Sequence, residues 1–203
     1  MKPELKRKSL HIIAAAIPVI LMYMPWKVAF IFLIGIAILN LLIDIFRNKP
    51  TYFGRVYQYF FAGILRDHEK KGALTGSTYF FLSLTLSYIV FCILLSVPVF
   101  ILTIIYTGFM VGDAAAALIG KRFGQIKIVN NKTLAGSSAF CIASFGSTFW
   151  IMLDKLHLVL VASLILTIIE LLIIKLDDNF FVPLITFTLF YFFLFGPGNS
   201  LVS

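Results

Sequence analysis

Seven long apolar runs separated by polar breaks organise the chain: Ser9–Met24, Val28–Phe46, Leu74–Leu95, Val97–Ile119, Ser137–Leu153, Leu156–Ile174 and Phe181–Phe195. An α-helix needs about 20 mostly apolar residues to cross a bilayer, so runs of this length predict membrane-spanning helices. Pro25, Pro98, Gly196 and Pro197 mark turns on one side, and the charged stretches fall on the other. Between the second and third runs, Thr51–Leu65 places Phe53, Tyr57, Phe60 and Ile64 at helical spacing, with Arg55 and Gln58 as its polar residues. This predicts an amphipathic helix in the inner headgroup region, since an eighth span would upset the charge distribution. The expected fold is an all-α, polytopic integral membrane bundle of about seven transmembrane helices, one domain over residues 1–203.

Composition agrees with the pattern. Of 203 residues, 61% are hydrophobic and 13% charged, against roughly a quarter charged in soluble domains. A net charge of +8 would suggest nucleic acid in a soluble chain, but here it sorts by side. With the N-terminus inside, the inner segments hold Lys2, Lys6, Arg7 and Lys8, then Arg47, Lys49, Arg55, Arg66, Lys70 and Lys71, then Lys121, Arg122, Lys127 and Lys132, and finally Lys175. Only Lys27 and Lys155 of the 17 basic residues lie outside, which the positive-inside rule reads as N-in, C-out. No nucleic-acid partner is expected. The N-terminal basic stretch imitates a secretory signal, but no small-x-small cleavage site follows and the run is read as the first span. Cys92 and Cys141 both fall within spans and read as small buried hydrophobes, not as a disulfide.

Carboxylates at membrane depth are costly unless paired or metal-bound, so each is a candidate for chemistry. Eight of the nine acidic residues lie on the inner side or at inner helix ends, leaving Asp154 outside. Asp113 is deepest, six residues before the end of its run, or roughly 9 Å along a helix axis. Around it runs GFMVGDAAAALIGKRFG, Gly108 to Gly124, whose small residues suit close helix packing but leave Asp113 unexplained. The helix is expected to stop at Gly120, with Lys121 and Arg122 just beyond. In NNKTLAGSS, Lys132, Thr133, Gly136 and Ser137 precede the fifth span. They offer the cation, hydroxyls and free backbone N–H groups that phosphate binding uses. Asp113 and this loop read together as a nucleotide–metal site.

A second acidic group comprises Glu170 and Asp177-Asp178-Asn179. Oxygen ligands of this kind suit Mg²⁺, while a cap on the seventh span is the alternative for either aspartate alone. Arg7 and His11 share one face of the first helix at i, i+4. Arg66, Asp67, His68 and Glu69, followed by Leu74–Thr78, add a cation–acid–hydroxyl cluster on the same side. Asn40, Asp44 and Arg47 read as a structural group on the second span, and His157 lies outside.

In order, Arg7-Lys8-x-x-His11, Arg66-x-x-Glu69 before L-T-G-S-T (Leu74–Thr78), G-D-A-A-A-A-L-I-G-K-R-F-G, K-T-x-x-G-S and a final E…D-D-N-x-x-x-P cover nearly the whole chain. This order resembles the polyprenol kinase family, which includes dolichol, phytol and farnesol kinases and CTP-dependent diacylglycerol kinases. The resemblance implies transfer of the γ-phosphate of CTP to a lipid alcohol with a divalent cation. The expected location is the plasma membrane of a prokaryote, with the active site facing the cytoplasm. Asp113 would hold metal, Lys121, Arg122, Lys132 and Thr133 would hold phosphates, and Glu170, Asp177 and Asp178 would hold metal or accept the alcohol proton. Arg7, His11, Arg66, Glu69, Thr75 and Asn179 fall in the matching motifs without assigned roles. The G-D-x-x-A…G-K-x-F-G…K-T-x-x-G pattern is also similar to phosphatidate cytidylyltransferases. There Ser-Pro-Lys is usual, and Asn130-Asn131 stands here instead. A third reading, a transporter, requires polar groups at several depths, and no charged residue marks the outer half of any run. Oligomerisation is left open, since glycine faces at Gly108/Gly112 and Gly136/Gly146 suit packing within or between chains.

Overall fold

The computed structural model describes residues 2–173 and 177–196, and its regular elements are helices. They are α1 (Lys2–Ala14), α2 (Ala16–Leu21), α3 (Trp26–Phe46), α4 (Tyr52–Phe61), α5 (Asp67–Lys70), α6 (Gly76–Ser87), α7 (Val99–Phe123), α8 (Leu134–Thr148), α9 (Leu156–Leu172) and α10 (Asp178–Phe195). A π-helical segment, Tyr88–Leu94, extends α6, and 3₁₀ turns over Phe149–Lys155 join α8 to α9. Lys175 and Pro197, which enter the expectations above, lie outside the described residues.

Among the described residues, five helical stretches are long and apolar enough to cross a membrane: Trp26–Phe46, Gly76–Leu94, Val99–Phe123, Leu134–Leu172 and Asp178–Phe195. Two features separate this number from the seven apolar runs. The first run is divided between α1 and α2, and the fifth and sixth form one 39-residue stretch, interrupted at Met152, where φ is −144° and ψ 65°.

The break between α1 and α2 follows from Pro18, whose ring lacks an N–H and collides with the carbonyl four residues earlier, that of Ala14. Carbonyls near the break find partners on α7: Thr107 Oγ1 donates to Ala15 O at 3.0 Å and Thr103 Oγ1 to Pro18 O at 2.8 Å. Helix α7 is the axis of the molecule. Every residue from Ile101 to Met110 is buried, and α7 packs against α1, α2, α8, α9 and α10. Tyr106 is fully buried, and its hydroxyl lies 2.7 Å from both Ser83 Oγ and Ser87 Oγ, which meets the requirement that a buried polar group be hydrogen-bonded.

Small residues let α8 approach α7. A Cβ at Gly120 would stand 3.3 Å from Gly136 Cα, and one at Gly136 would stand 3.2 Å from Ala116 O. Gly108 and Gly112 face Ser144 and Phe140 of the same chain, while Gly146 has open space around it. The approach at Gly120 does not end the helix there, contrary to the expectation. α7 continues to Phe123 and closes where the Gly124 N–H donates to Gly120 O at 3.0 Å, so Lys121 and Arg122 ride on its last turn.

Side-chain caps start the helices at the end of the bundle where the charges gather. Thr75 Oγ1 accepts from Thr78 N, Thr133 Oγ1 from Gly136 N at 3.1 Å, and Asp177 Oδ1 from Asn179 N at 3.0 Å. Pro25 and Pro98 instead precede α3 and α7. α3 ends in a buried ion pair, Arg47 Nε to Asp44 Oδ1 at 3.0 Å. Asp44 Oδ2 accepts from Thr75 N at 2.8 Å and Thr78 Oγ1 at 2.6 Å, and Arg47 donates to Glu69 O at 2.8 Å. This network locks α3, α5 and α6 together. Thr51 caps α4, whose inner face carries Phe53, Tyr57 and Phe61; Tyr57 and Phe61 stack at 5.0 Å. Phe60, expected on that face, is 67% exposed, because the residue four beyond Tyr57, not three, continues its track.

Candidate functional site

A polar cavity of about 340 Å³ opens where α1, α7, α8, α9 and α10 converge, walled by Lys8, Asp113, Lys121, Lys132, Glu170 and Asp178 among others. Lys8, on the buried side of α1, pairs with Asp113 of α7. One turn on, His11 Nε2 lies 3.5 Å from Asp113 Oδ2 and 3.2 Å from Asn179 Oδ1. The Asn179 amide nitrogen is committed to Asp177 Oδ1 and Asp178 Oδ1, at 3.1 and 3.0 Å, which leaves its oxygen for His11.

Lys132 is placed by a tight turn. Asn130 and Asn131 adopt left-handed backbone conformations, with φ of 54° and 63°, which asparagine tolerates better than most residues. Ile128 N donates to Lys132 O at 2.9 Å, closing the turn and setting Lys132 opposite Glu170, 2.7 Å from its Oε1. Much of the open helix N-terminus expected here is occupied from within the chain. Thr133 Oγ1 takes the Gly136 N–H, Thr133 O takes that of Ser137, and Ile126 O takes that of Leu134. Lys121 and Lys132 supply the positive charge at this wall, beside Thr133, Gly136 and Ser137.

On the opposite wall, Arg66 reaches Asp177 Oδ2 at 3.4 Å and Asp178 Oδ1 at 3.5 Å. Burial and the charge of Asp178 push the Asp177 carboxyl above its ordinary value. Burial pulls the Arg66 guanidinium down, but Asp178 and Asp177 more than restore it, leaving it above its ordinary value. Glu69 is a brace and does not enter the cavity. Its two oxygens accept from Arg66 N at 2.6 Å and Gly76 N at 2.9 Å. Thr75 likewise faces Asp44 and not the cavity. Arg122 is exposed, with its guanidinium over the Phe123 ring, and is not among the cavity's walls.

The structure thus brings together Asp113, Glu170, Asp178, Lys121, Lys132, Thr133, Gly136, Ser137, Arg7 and Arg66, with His11, Asn179 and Asp177 adjoining. Sequence reasoning missed Lys8 as the partner of Asp113, and Glu4, which pairs with Lys121. The signal for Lys8 was its position three residues before His11, on the face that meets α7. Among the described residues, no three Asp, Glu, His or Cys side chains lie close enough to ligate one ion. Each carboxylate instead faces a cation. That donor set suits a magnesium–triphosphate, where the ion takes one or two carboxylates and completes its shell with phosphate oxygens and water.

No protein-family model matches the chain, and no solved structure matches it. It is similar to the uncharacterized protein RP860 of Rickettsia prowazekii (strain Madrid E), with 28% identity over 143 residues, 70% of this chain and 67% of that protein.

Proposed function

We propose that this protein is a CTP-dependent kinase of a membrane lipid alcohol, working at the cytoplasmic face of a seven-span, N-in bundle. The observation that carries the reading is the cavity in which Asp113, Glu170 and Asp178 share walls with Lys8, Lys121 and Lys132. Phosphoryl transfer asks a protein mainly to position reactants and neutralise charge, and such walls do both. CTP as donor, the acceptor class and the membrane side rest on the motif resemblance and on the distribution of basic residues.

Seven crossings follow if α1–α2 counts as one span and the stretch Leu134–Leu172 folds back at Met152. Asp113 and Glu170 would hold Mg²⁺, which when bound supplies charge neutralisation at the phosphates. Lys132 and Lys121, now facing Glu170 and Glu4, would exchange those carboxylates for phosphate oxygens. The acceptor oxygen attacks the γ-phosphorus in line and the β–γ bridging P–O bond breaks. CDP departs with the electron pair, and the hydroxyl proton passes to Asp178 beside Arg66. A phosphatidate or prenyl-phosphate cytidylyltransferase, favoured by the shared G-D…K-T-x-x-G order, would use the same walls and attack the α-phosphorus.

Reconstituted protein given Mg²⁺ and CTP labelled at the α or γ position, with prenols, diacylglycerol and phosphatidate, separates the readings. Label passing from γ to lipid is expected. Label from α identifies the cytidylyltransferase, and label from neither position contradicts both enzymes.

A further inference from the structure

A second cavity, of about 400 Å³, lies behind the polar one and is mostly apolar. Its floor is Phe80 and Phe81 of α6 and Met110 of α7, and its roof is Phe53, Tyr57 and Phe61 of α4. Arg7 and Arg66 wall both cavities, and His11 and Asn179 stand at the polar end of the apolar one. The Nε of Arg7 is buried with no hydrogen-bond partner among the described residues, and an unmet buried donor is costly. A ligand here meets mostly apolar side chains, with Asn40, Glu69, Thr75 and Ser77 also in the lining, and guanidinium N–H groups where the two cavities adjoin.

We infer that this cavity holds one hydrocarbon chain of the acceptor lipid, with its hydroxyl at the neck between Arg7 and Arg66, facing the triphosphate cavity. The inference rests on the kinase reading and adds where the acceptor lies and what covers it. Continuity favours this occupant: Arg7 and Arg66 wall both cavities, so a chain in the apolar one presents its hydroxyl to the cavity that holds Asp113 and Asp178. The volume is toward the small end of the roughly 300–1,000 Å³ typical of ligand pockets, which suits one chain and not two side by side. The roof is one helix thick. Tyr59 and Phe60, on the outer side of α4, are exposed, and Gln58 ties the helix to Arg47 O at 3.4 Å and Asn48 Oδ1 at 3.2 Å. α4 thus covers the cavity with aromatic side chains and is tied to the end of α3.

The test is photolabelling of the full chain in nanodiscs with a long-chain primary alcohol bearing a mid-chain diazirine. Expected adducts map to Phe53, Tyr57, Phe81 or Met110. Ala14→Trp, which fills the cavity from α1, is expected to cut them about tenfold or more, equivalent to about 1.4 kcal/mol of binding, with affinity for CTP unchanged. Ile43→Trp fills the cavity from α3 and serves if Ala14→Trp does not fold. Adducts confined to the outer faces of α3 or α9, or full labelling in a folded cavity-filling variant, overturn the inference. Labelling is read without turnover. A chain that labels here but transfers no phosphate contradicts the kinase alone, and one that transfers phosphate without labelling here contradicts the slot alone.

Discussion

At the scale of single residues, the site is a set of carboxylates paired with cations, and Asp177, which shares Arg66 with Asp178, shows what that arrangement costs. Its carboxyl stands above its ordinary value because it is buried beside Asp178. A carboxylate raised in the folded state binds more protons there than in the unfolded chain. The stability it contributes is therefore complete below the ordinary value of 3.8 and is lost as pH rises through the raised one. Asp177→Asn keeps the helix cap and removes the charge. Its melting temperature is expected to match or exceed that of the wild type near neutral pH, with the difference shrinking as pH falls towards 3.8, while lipid phosphorylation declines. A variant that melts lower than the wild type near neutral pH would mark Asp177 as structural. The residue types at the site were legible in sequence, because a carboxylate in an apolar run has few reasons to be there. Their pairing was not. Lys8 and Asp113 are far apart in the chain, and only the packing of α1 on α7 joins them.

At the scale of elements, two devices position the walls. One is the buried Asp44–Arg47 pair with its threonine partners. Removing one member of such a pair leaves an uncompensated charge and costs roughly 3–5 kcal/mol, so Arg47→Ala is expected to lower thermal stability strongly in detergent. Asp44→Asn/Arg47→Met should recover part of the loss. The other is the glycine contact between α7 and α8. Gly136→Leu is expected to push α8 from α7, carrying Lys132 away from Glu170 and lowering CTP affinity more than stability. Helix positions followed in part from the apolar runs, and Asp44–Arg47 from its i, i+3 spacing. The continuation of α7 past Gly120 did not. Glycine there reads as a stop, while its function is to admit a neighbouring backbone, a contact visible only with α8 in place. Phe60 and Phe61 similarly differ by one position on a helix whose inner face only the packing defines.

At the scale of the whole molecule, one end of the bundle collects Arg7, Lys8, Arg66, Asp113, Lys132, Glu170 and Asp178, while Asp154 and His157 are exposed in the α8–α9 region. Charge sorting along the sequence anticipated this grouping, since alternating helices return every second loop to one side. The number of crossings was less legible, because a proline break and a non-helical residue decide which apolar runs act as separate helices. Cysteines introduced at Lys127 and Asp154, with Cys92 and Cys141 replaced, are expected to react with impermeant reagent from opposite membrane faces. Reaction from the same face contradicts the seven-span topology. The central claim is that a single cavity carries out phosphoryl transfer. Its most direct test is γ-label transfer from CTP to lipid by wild type, Asp113→Asn and Lys132→Ala in the same proteoliposomes. Transfer by the wild type and a loss of at least about 10²-fold in each variant are expected, with insertion intact; full transfer by either variant would overturn phosphoryl transfer in this cavity.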